Sequence, residues 1–428
     1  MGIILGKLAI AFSRFSGRKG TNIGGKIALK FNKHILRKLT ANIDEIILVS
    51  GTNGKSTTTN IIAQTLSNSK ASIVSNIDGA NMYTGIVSTL IDNYKLGKNN
   101  HYQYGVFEVD EGSIPLVLND LDKCSLVITN FFRDQLDRYA EIDIIIDKIN
   151  NAVALKGDDI KLYLNVDDPF CYRLRDYNFI GYGLDKKIDI FKEGTISDSR
   201  YCAICGRALQ YSKIFYGQLG HYTCECGFNR PNPKYLLSNV SNEALKINNT
   251  IFHHHIMGSY NIYNILAAIS VLKEMAIKDE IIEKTLVNFK TIDGRMQLLH
   301  LNNHQIYLNL VKNHAGMNLT LQEISYLKVN HVCFLLNDYT ADGKDISWIW
   351  DADFEYLLNM DIKKFFISGT RCYDMALRLK NMGIDEHKII VNPLFETIID
   401  LVISDNAFII ASYTALWKAK KLLEAKEH

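Results

Sequence analysis

Residues 46–60, IILVSGTNGKSTTTN, run from an apolar stretch into Gly51, Thr52, Asn53, Gly54, Lys55, Ser56 and Thr57, and few folds accommodate that order. A buried strand that ends in Gly-x-x-Gly-Lys-Ser and passes straight into a helix aims backbone N–H groups and a helix N-terminus at one spot. Neither glycine has a side chain to block what approaches. The ligand this suits is a polyphosphate: Lys55 neutralises β and γ phosphates, and the Ser56 hydroxyl meets the magnesium ion that bridges them. Val49 stands where the general Gly-x4-Gly-Lys-Ser/Thr pattern has its first glycine, so this is a shorter variant of that loop.

Around the loop, strand-like runs alternate with helical patterns. Strands are expected at 46–49, 71–74, 106–109, 126–129 and 161–164, with a helix starting at Lys55. Such alternation implies a mostly parallel sheet covered on both faces. The pattern breaks near residue 195 for a tyrosine-rich, cysteine-bearing insert, and helices resume at 259–276 and 280–289. A second series of strands, at 306–311, 332–336, 364–367, 388–391 and 408–411, indicates a Rossmann-like α/β domain. The expected division is an N-terminal helical arm over 1–43, a central P-loop domain over 44–300 with an insert at 198–230, and a C-terminal α/β domain over 301–428.

The net charge of +2 conceals an asymmetry, because residues 1–43 carry nine Lys or Arg and no Asp or Glu. Two amphipathic helices are legible there. Ile4, Leu8, Phe12 and Phe15 share one face; Ala28, Phe31, Ile35 and Leu39 share another, opposite Lys26, Lys30, Lys33 and Arg37. Such helices either pack on the next domain or lie on an anionic membrane surface. No apolar stretch reaches the roughly 20 residues needed to span a bilayer, and no leader with a cleavage site is evident, so the expected location is the cytoplasm.

Of eight cysteines, Cys124, Cys171, Cys333 and Cys372 are scattered, whereas Cys202-x2-Cys205 and, eighteen residues later, Cys224-x-Cys226 have ligand spacing. Four thiolates from two glycine-bearing turns suit a closed, structural tetrahedral zinc site rather than a catalytic one, which would keep a position for water. A zinc ribbon can also bind nucleic acid. The few, scattered bases of this insert argue against that.

The shorter loop Gly51–Ser56 resembles the ATP loop of the Mur ligases and folylpolyglutamate synthases, and further segments follow in that family's order. Glu108 at a strand end resembles the family's magnesium-binding glutamate. Thr129-Asn130 with Asp134-Gln135-Leu136-Asp137-Arg138 resembles its TN-x3-DHLDR segment, with Gln135 in place of histidine. Asn165-Val166-Asp167-Asp168-Pro169 resembles its NADDP strand end. Gly258 to Asn264 resembles GxHNxxN without the histidine, which implies that Asn264 contacts adenine, and Gly294-Arg295 resembles the pair whose arginine reaches the γ phosphate. Lys148 lies near the family's carbamoylated lysine but out of register, and that role is not carried over.

Within the Mur group, Lys312-Asn313-His-Ala-Gly316, the stretch from Leu336 to Asp351, Ser368-Gly-Thr-Arg371, Glu108-Val-Asp-Glu111-Gly and the four cysteines resemble the MurT family, the synthetase subunits of lipid II isoglutaminyl synthase. With the phosphate loop beginning at residue 51, the usual nucleotide-sugar domain is not expected before it. The resemblance implies ATP-dependent amidation of the D-glutamate α-carboxylate of lipid II through an acyl phosphate. Ammonia would come from a GatD-type class I glutaminase in a heterodimer. It also implies that Lys312 reaches the phosphate and that Asp345 completes the partner's Cys-His pair. By its own chemistry Lys312 fits a surface lysine equally, and Asp345 fits a cap on a helix beginning near Trp348. The alternative function is a stand-alone Mur-type ligase that joins an amino acid to a carboxylate.

Overall fold

The structure is a computed structural model of the chain and describes residues 1–17, 20–76, 80–97, 100–132, 142–191, 199–241, 243–289 and 294–426. Three helices come first: α1 (Gly2–Phe15), α2 (Ile23–Phe31) and α3 (Ile35–Thr40). The expected second amphipathic helix is thus two helices, broken at Asn32, whose backbone is extended. Ala28, Ile35 and Leu39 are buried, but Phe31 is exposed.

Packing of α1 on its apolar stripe is corrected by the structure: Ile4, Leu8, Phe12 and Phe15 are all exposed. The buried positions are Gly6 and Ile10, on the opposite side of the helix. Glycine decides which face packs. A Cβ on Gly6 would lie 3.0 Å from the Gly24 carbonyl oxygen, and one on Gly24 would lie 2.5 Å from Ile10 Cδ1. Backbones this close leave no space for the larger side chains, which turn outward.

The central domain is a nine-stranded sheet. Its strands are β1 (Ile43–Ser50), β2 (Ile73–Ser75), β3 (Tyr102–Glu108), β4 (Cys124–Ile128), β5 (Ile160–Asn165) and β6 (Phe179–Leu184), then β9 (Tyr235–Val240), β10 (Ala244–Ile247) and β11 (Thr250–His253). Between β6 and β9 a separate hairpin, β7 (Gln210–Tyr216) and β8 (Leu219–Thr223), forms part of the insert. The sheet order is β11-β10-β9-β6-β5-β4-β1-β3-β2, parallel from β2 to β9 and antiparallel through β10 and β11.

β1 pairs with β3 on one side and β4 on the other, so the chain reverses its direction of travel across the sheet there. In doubly wound sheets the ligand crevice opens at the carboxyl ends of the strands flanking such a switch. β1 is buried on both faces, which explains its unbroken apolar run. Ile47 and Val49 face α4 (Lys55–Asn68), α8 (Asn261–Glu274) and α9 (Asp279–Val287); Ile46 and Leu48 face α5 (Tyr83–Asn93), α6 (Ile114–Asp120) and α7 (Ile142–Lys156).

A second sheet begins at Gln297, in the order β12-β13-β17-β14-β15-β16. Its strands are β12 (Gln297–Leu301), β13 (His304–Leu310), β14 (His331–Leu335), β15 (Lys364–Ser368), β16 (Ile389–Val391) and β17 (Ala407–Ala411), parallel except for the β12–β13 hairpin. Helices α10 (His314–Ile324), α11 (Trp348–Asp351), α12 (Cys372–Asn381), α13 (Phe395–Val402) and α14 (Tyr413–Glu424) alternate with these strands.

Candidate active site

The loop after β1 is held in place by its neighbours. Thr52 N–H donates to the Asn130 carbonyl (2.9 Å), Asn53 N–H to Asn130 Oδ1 (2.9 Å), and Phe132 N–H to Thr52 Oγ1 (3.0 Å), so the segment after β4 fixes the loop. Gly51 and Gly54 have φ of +123° and +90°. A Cβ on Gly51 would lie 2.2 Å from Thr129 Oγ1, and one on Gly54 2.0 Å from Asn264 Oδ1. Both glycines are therefore required twice, by conformation and by space.

Lys55 is buried. Its ammonium folds back to the Gly51 and Thr52 carbonyls and pairs with Glu111 at 3.2 Å. Burial by itself raises the Glu111 carboxyl, but the ammoniums of Lys55 and Lys312 outweigh it and hold Glu111 below its ordinary value. Ser56 Oγ donates to Glu108 Oε2 (2.6 Å), and Asn81 donates to Glu108 Oε1 (3.0 Å). Asn76 clamps the Glu108 backbone, accepting its N–H at 2.8 Å and donating to its carbonyl at 2.8 Å. A hydroxyl and a carboxylate side by side are the oxygen donors that a hard dication takes, so Ser56 and Glu108 fit magnesium.

The loop forms one wall of a cleft. Asn53, Gly54, Ser56, Thr57 and Asn264 line it from the central domain, and Arg295, Lys312 and Gly316 from the C-terminal segment. Gly51, Thr52, Lys55 and Glu108 stand directly behind that wall, through the bonds described above. The two domains touch here, with Asn313 Nδ2 3.4 Å from Asn53 Oδ1. Asn313 also caps α10 by accepting from Gly316 N–H at 2.8 Å.

Asp345 is not among the residues that line the cleft. It is partly exposed, and its Oδ1 accepts from Ser347 N–H (2.8 Å) just before α11. Lys148 is exposed on α7. The segment from Asp134 to Arg138, with Gln135, falls outside the described residues.

The four cysteines of the insert converge. Cys202 Sγ is 3.6 Å from Cys226 Sγ, and Cys224 Sγ is 3.5 Å from both Cys205 and Cys226. All four sulfurs lie within 4.8 Å of one another, and none is in a disulfide. Zinc–sulfur bonds of about 2.3 Å in a tetrahedron set sulfur atoms about 3.8 Å apart, so this cage fits zinc. Tyr222 and Phe228 stack beside it at 5.7 Å.

The insert also reaches the cleft. Tyr216, the last residue of β7, is part of the cleft lining and packs edge-on against Tyr263 at 5.8 Å. Behind them Asp167, fully buried, accepts from Arg230 Nε (2.6 Å), Leu184 N–H (2.8 Å) and Tyr263 Oη (2.8 Å). Arg230 closes the insert, and Tyr263 precedes Asn264 on α8. Glu111, Asn76, Asn81, Asn313, Tyr216 and the Asp167–Arg230 pair were not singled out as site residues from sequence. Of these, Glu111, Asn313 and Asp167 carried a signal, since each lies within a segment that resembles the family.

Comparison with known proteins places these features. Residues 49–272 match the Mur ligase middle domain and residues 310–416 the MurT ligase C-terminal domain. The lipid II isoglutaminyl synthase (glutamine-hydrolyzing) subunit MurT of Staphylococcus aureus (strain COL) is 41% identical over 400 residues, covering 92% of this chain and 90% of that one. The subunit of the same name from Streptococcus pneumoniae (strain ATCC BAA-255 / R6) is 33% identical over 431 residues, covering 96% and 93%. Among solved structures, a pseudomurein peptide ligase type C from Methanothermus fervidus superposes with a TM-score of 0.69 at 21% identity, covering 89% of this chain and 79% of that one.

Proposed function

The chain belongs to the MurT family of Mur-type ligases, and from that premise we propose that it energises the D-glutamate α-carboxylate of lipid II with ATP and converts it to the amide of D-isoglutamine in peptidoglycan synthesis. A carboxylate repels nucleophiles and has no viable leaving group. Transfer of the γ phosphoryl to a carboxylate oxygen forms an acyl phosphate and releases ADP. Ammonia then attacks the carbonyl carbon, phosphate departs, and the nitrogen loses a proton. The protein's part is positioning and charge cancellation.

The observation that carries this reading is the convergence of Gly54, Ser56 and Asn264 with Arg295 and Lys312 on one cleft at the switch point of the sheet. Lys55 leaves Glu111 for the phosphates. Arg295 and Lys312 meet the transferring group from the opposite wall. Ser56 and Glu108 would hold magnesium, which would supply further neutralisation of the phosphate charge. Asn264, against Gly54, borders the nucleotide. The four cysteines hold a structural zinc.

Mur ligases join a nitrogen nucleophile to a carboxylate, and the curated relatives are subunits of a glutamine-hydrolysing enzyme, so a second subunit supplies the ammonia. We assign that partner as a GatD-type class I glutaminase, with Asp345 orienting its histidine from across the interface. Asp345 supports this by lying partly exposed and outside the cleft lining. The lone cysteines of this chain do not serve as its own glutaminase nucleophile. All four are buried, and burial pushes the Cys124 thiol up to about 12 and raises Cys171, Cys333 and Cys372 as well, the reverse of thiolate activation. The lipid-linked substrate places the reaction at the cytoplasmic face of the membrane. Among the described residues no helix is long and apolar enough to cross it.

Incubating the chain alone with ATP, magnesium and solubilised lipid II separates the readings. Ammonium is expected to yield the amide, while glutamine or an amino acid yields nothing. Product formed with an added amino acid instead would establish a stand-alone peptide ligase.

A further inference from the structure

α1 is amphipathic in an unusual sense, because its larger apolar side chains are on the side that does not pack. Met1, Ile4, Leu8, Phe12 and Phe15 are exposed at 86%, 49%, 61%, 74% and 91%. Spacings of three and four residues place them on one face. The opposite face carries Gly6 and Ile10, locked against α2 at the close distances given above. The helix is tied down further by α5. Arg14 forms a two-pronged pair with Asp92 (3.0 and 2.6 Å), and Lys7 donates to the Asp92 carbonyl at 2.9 Å. Gly25 fits under α5 so tightly that a Cβ there would lie 2.0 Å from the Thr84 carbonyl oxygen. The apolar stripe is therefore held outward by a rigid base, with no inward position available to it.

We propose that this stripe is the membrane-docking surface of the protein and that its occupant is the apolar–polar boundary of an anionic phospholipid bilayer. Charge complementarity selects that occupant. The helical arm carries nine cationic side chains and no carboxylate; Arg14 and Arg37 are paired with Asp92 and Asp122, whereas Lys26, Lys30 and Lys33 on and after α2 are exposed. A cationic, aromatic-bearing helix in the plane of the interface buries its apolar face among the acyl chains and attracts acidic headgroups. The position suits the chemistry too. α1 packs through α2 and α5 onto the central domain, whose cleft carries the chemistry. Docking through α1 would hold the central domain, with its cleft, close to the surface that carries a lipid-anchored carboxylate. This relevance to turnover rests on the proposed function; the docking itself does not.

The test uses the full chain and vesicles without lipid II. Co-sedimentation is expected with phosphatidylglycerol-containing vesicles, weaker at high salt, and weak with phosphatidylcholine alone. The double variant Phe12→Ser, Phe15→Ser should lose about tenfold or more in partitioning, since two aromatic groups no longer insert. These side chains are exposed, and an unchanged thermal transition confirms folding. As a gain-of-signal check, Phe12→Trp should show blue-shifted emission on addition of the anionic vesicles. Absence of anionic-vesicle binding, equal partitioning of the double variant, or no emission shift would overturn the proposal. So would a dimer in light scattering that the double variant abolishes, because the stripe would then be covered by a second copy. Amidation of detergent-solubilised lipid II with ammonium is measured in parallel. Its failure with vesicle binding intact would sink the enzymatic reading alone, and the converse would sink the docking alone.

Discussion

Replacing Arg230 by methionine removes the cation from a carboxylate that has no access to water. Asp167 is fully buried and the Arg230 side chain is 7% exposed. Breaking a buried pair from one side costs about 3–5 kcal/mol, because the remaining charge is stranded. Asp167 keeps its bonds from Leu184 N–H and Tyr263 Oη, both at 2.8 Å, which puts the cost at the lower end, about 3 kcal/mol. For a domain of this size that corresponds to a fall in Tm of roughly 6–12 °C. Scanning calorimetry measures it. Arg230→Met with Asp167→Asn should recover part of the loss, since no charge is then stranded. A second readout follows from Tyr263, which donates to Asp167 and precedes Asn264: ATP should bind several-fold more weakly in the single variant. A Tm within about 2 °C of the parent with unchanged ATP affinity would refute both the energetics and the coupling of the insert to the nucleotide cleft.

Other perturbations address different parts of the site. Gly54→Ala must adopt a φ of +90° and displace Asn264; the conformation alone costs about 1–2 kcal/mol, and titration with a fluorescent ATP analogue should show at least a tenfold loss of affinity. Asp345→Asn, assayed with the glutaminase partner, should cut glutamine-dependent amidation by roughly a hundredfold or more, as expected when a triad acid is lost, and leave ammonium-dependent amidation intact; an unaltered glutamine-dependent rate removes Asp345 from catalysis. Burial acts to raise the Glu274 carboxyl, but hydrogen bonds from Lys234, Tyr235 and Lys161 outweigh it and hold it down to about 2. A depressed folded-state value means stabilisation that is present above the ordinary 4.5 and is lost as pH falls towards 2. Glu274→Gln should therefore be less stable than the parent to denaturant at pH 7, with the difference closing as the pH drops through that window.

The phosphate loop was legible because strand, glycines, lysine and helix start are contiguous, and local chemistry dictates each of them. The parallel strands around it were legible because burial on both faces produces unbroken apolar runs. The antiparallel extension from β9 to β11 was not, since short strands at a sheet margin carry weaker patterns. Asp167, Arg230 and Tyr263 lie 63 and 96 positions apart along the chain, and only the topology brings them together. Amphipathicity correctly identified helical stretches in the arm, but a hydrophobic face alone does not say what covers it. In α1 the glycines made the closer fit and turned the apolar residues outward. The four cysteines show the opposite case, in which spacing alone foretold a cage.

The central claim is that this chain activates a carboxyl group by phosphorylating it. Lipid II carrying heavy oxygen in the D-glutamate α-carboxylate, incubated with the chain, ATP, magnesium and ammonium, gives the direct measurement by mass spectrometry of the released phosphate. The account predicts one labelled oxygen transferred to phosphate for each amide formed. Amide formation with wholly unlabelled phosphate would contradict it.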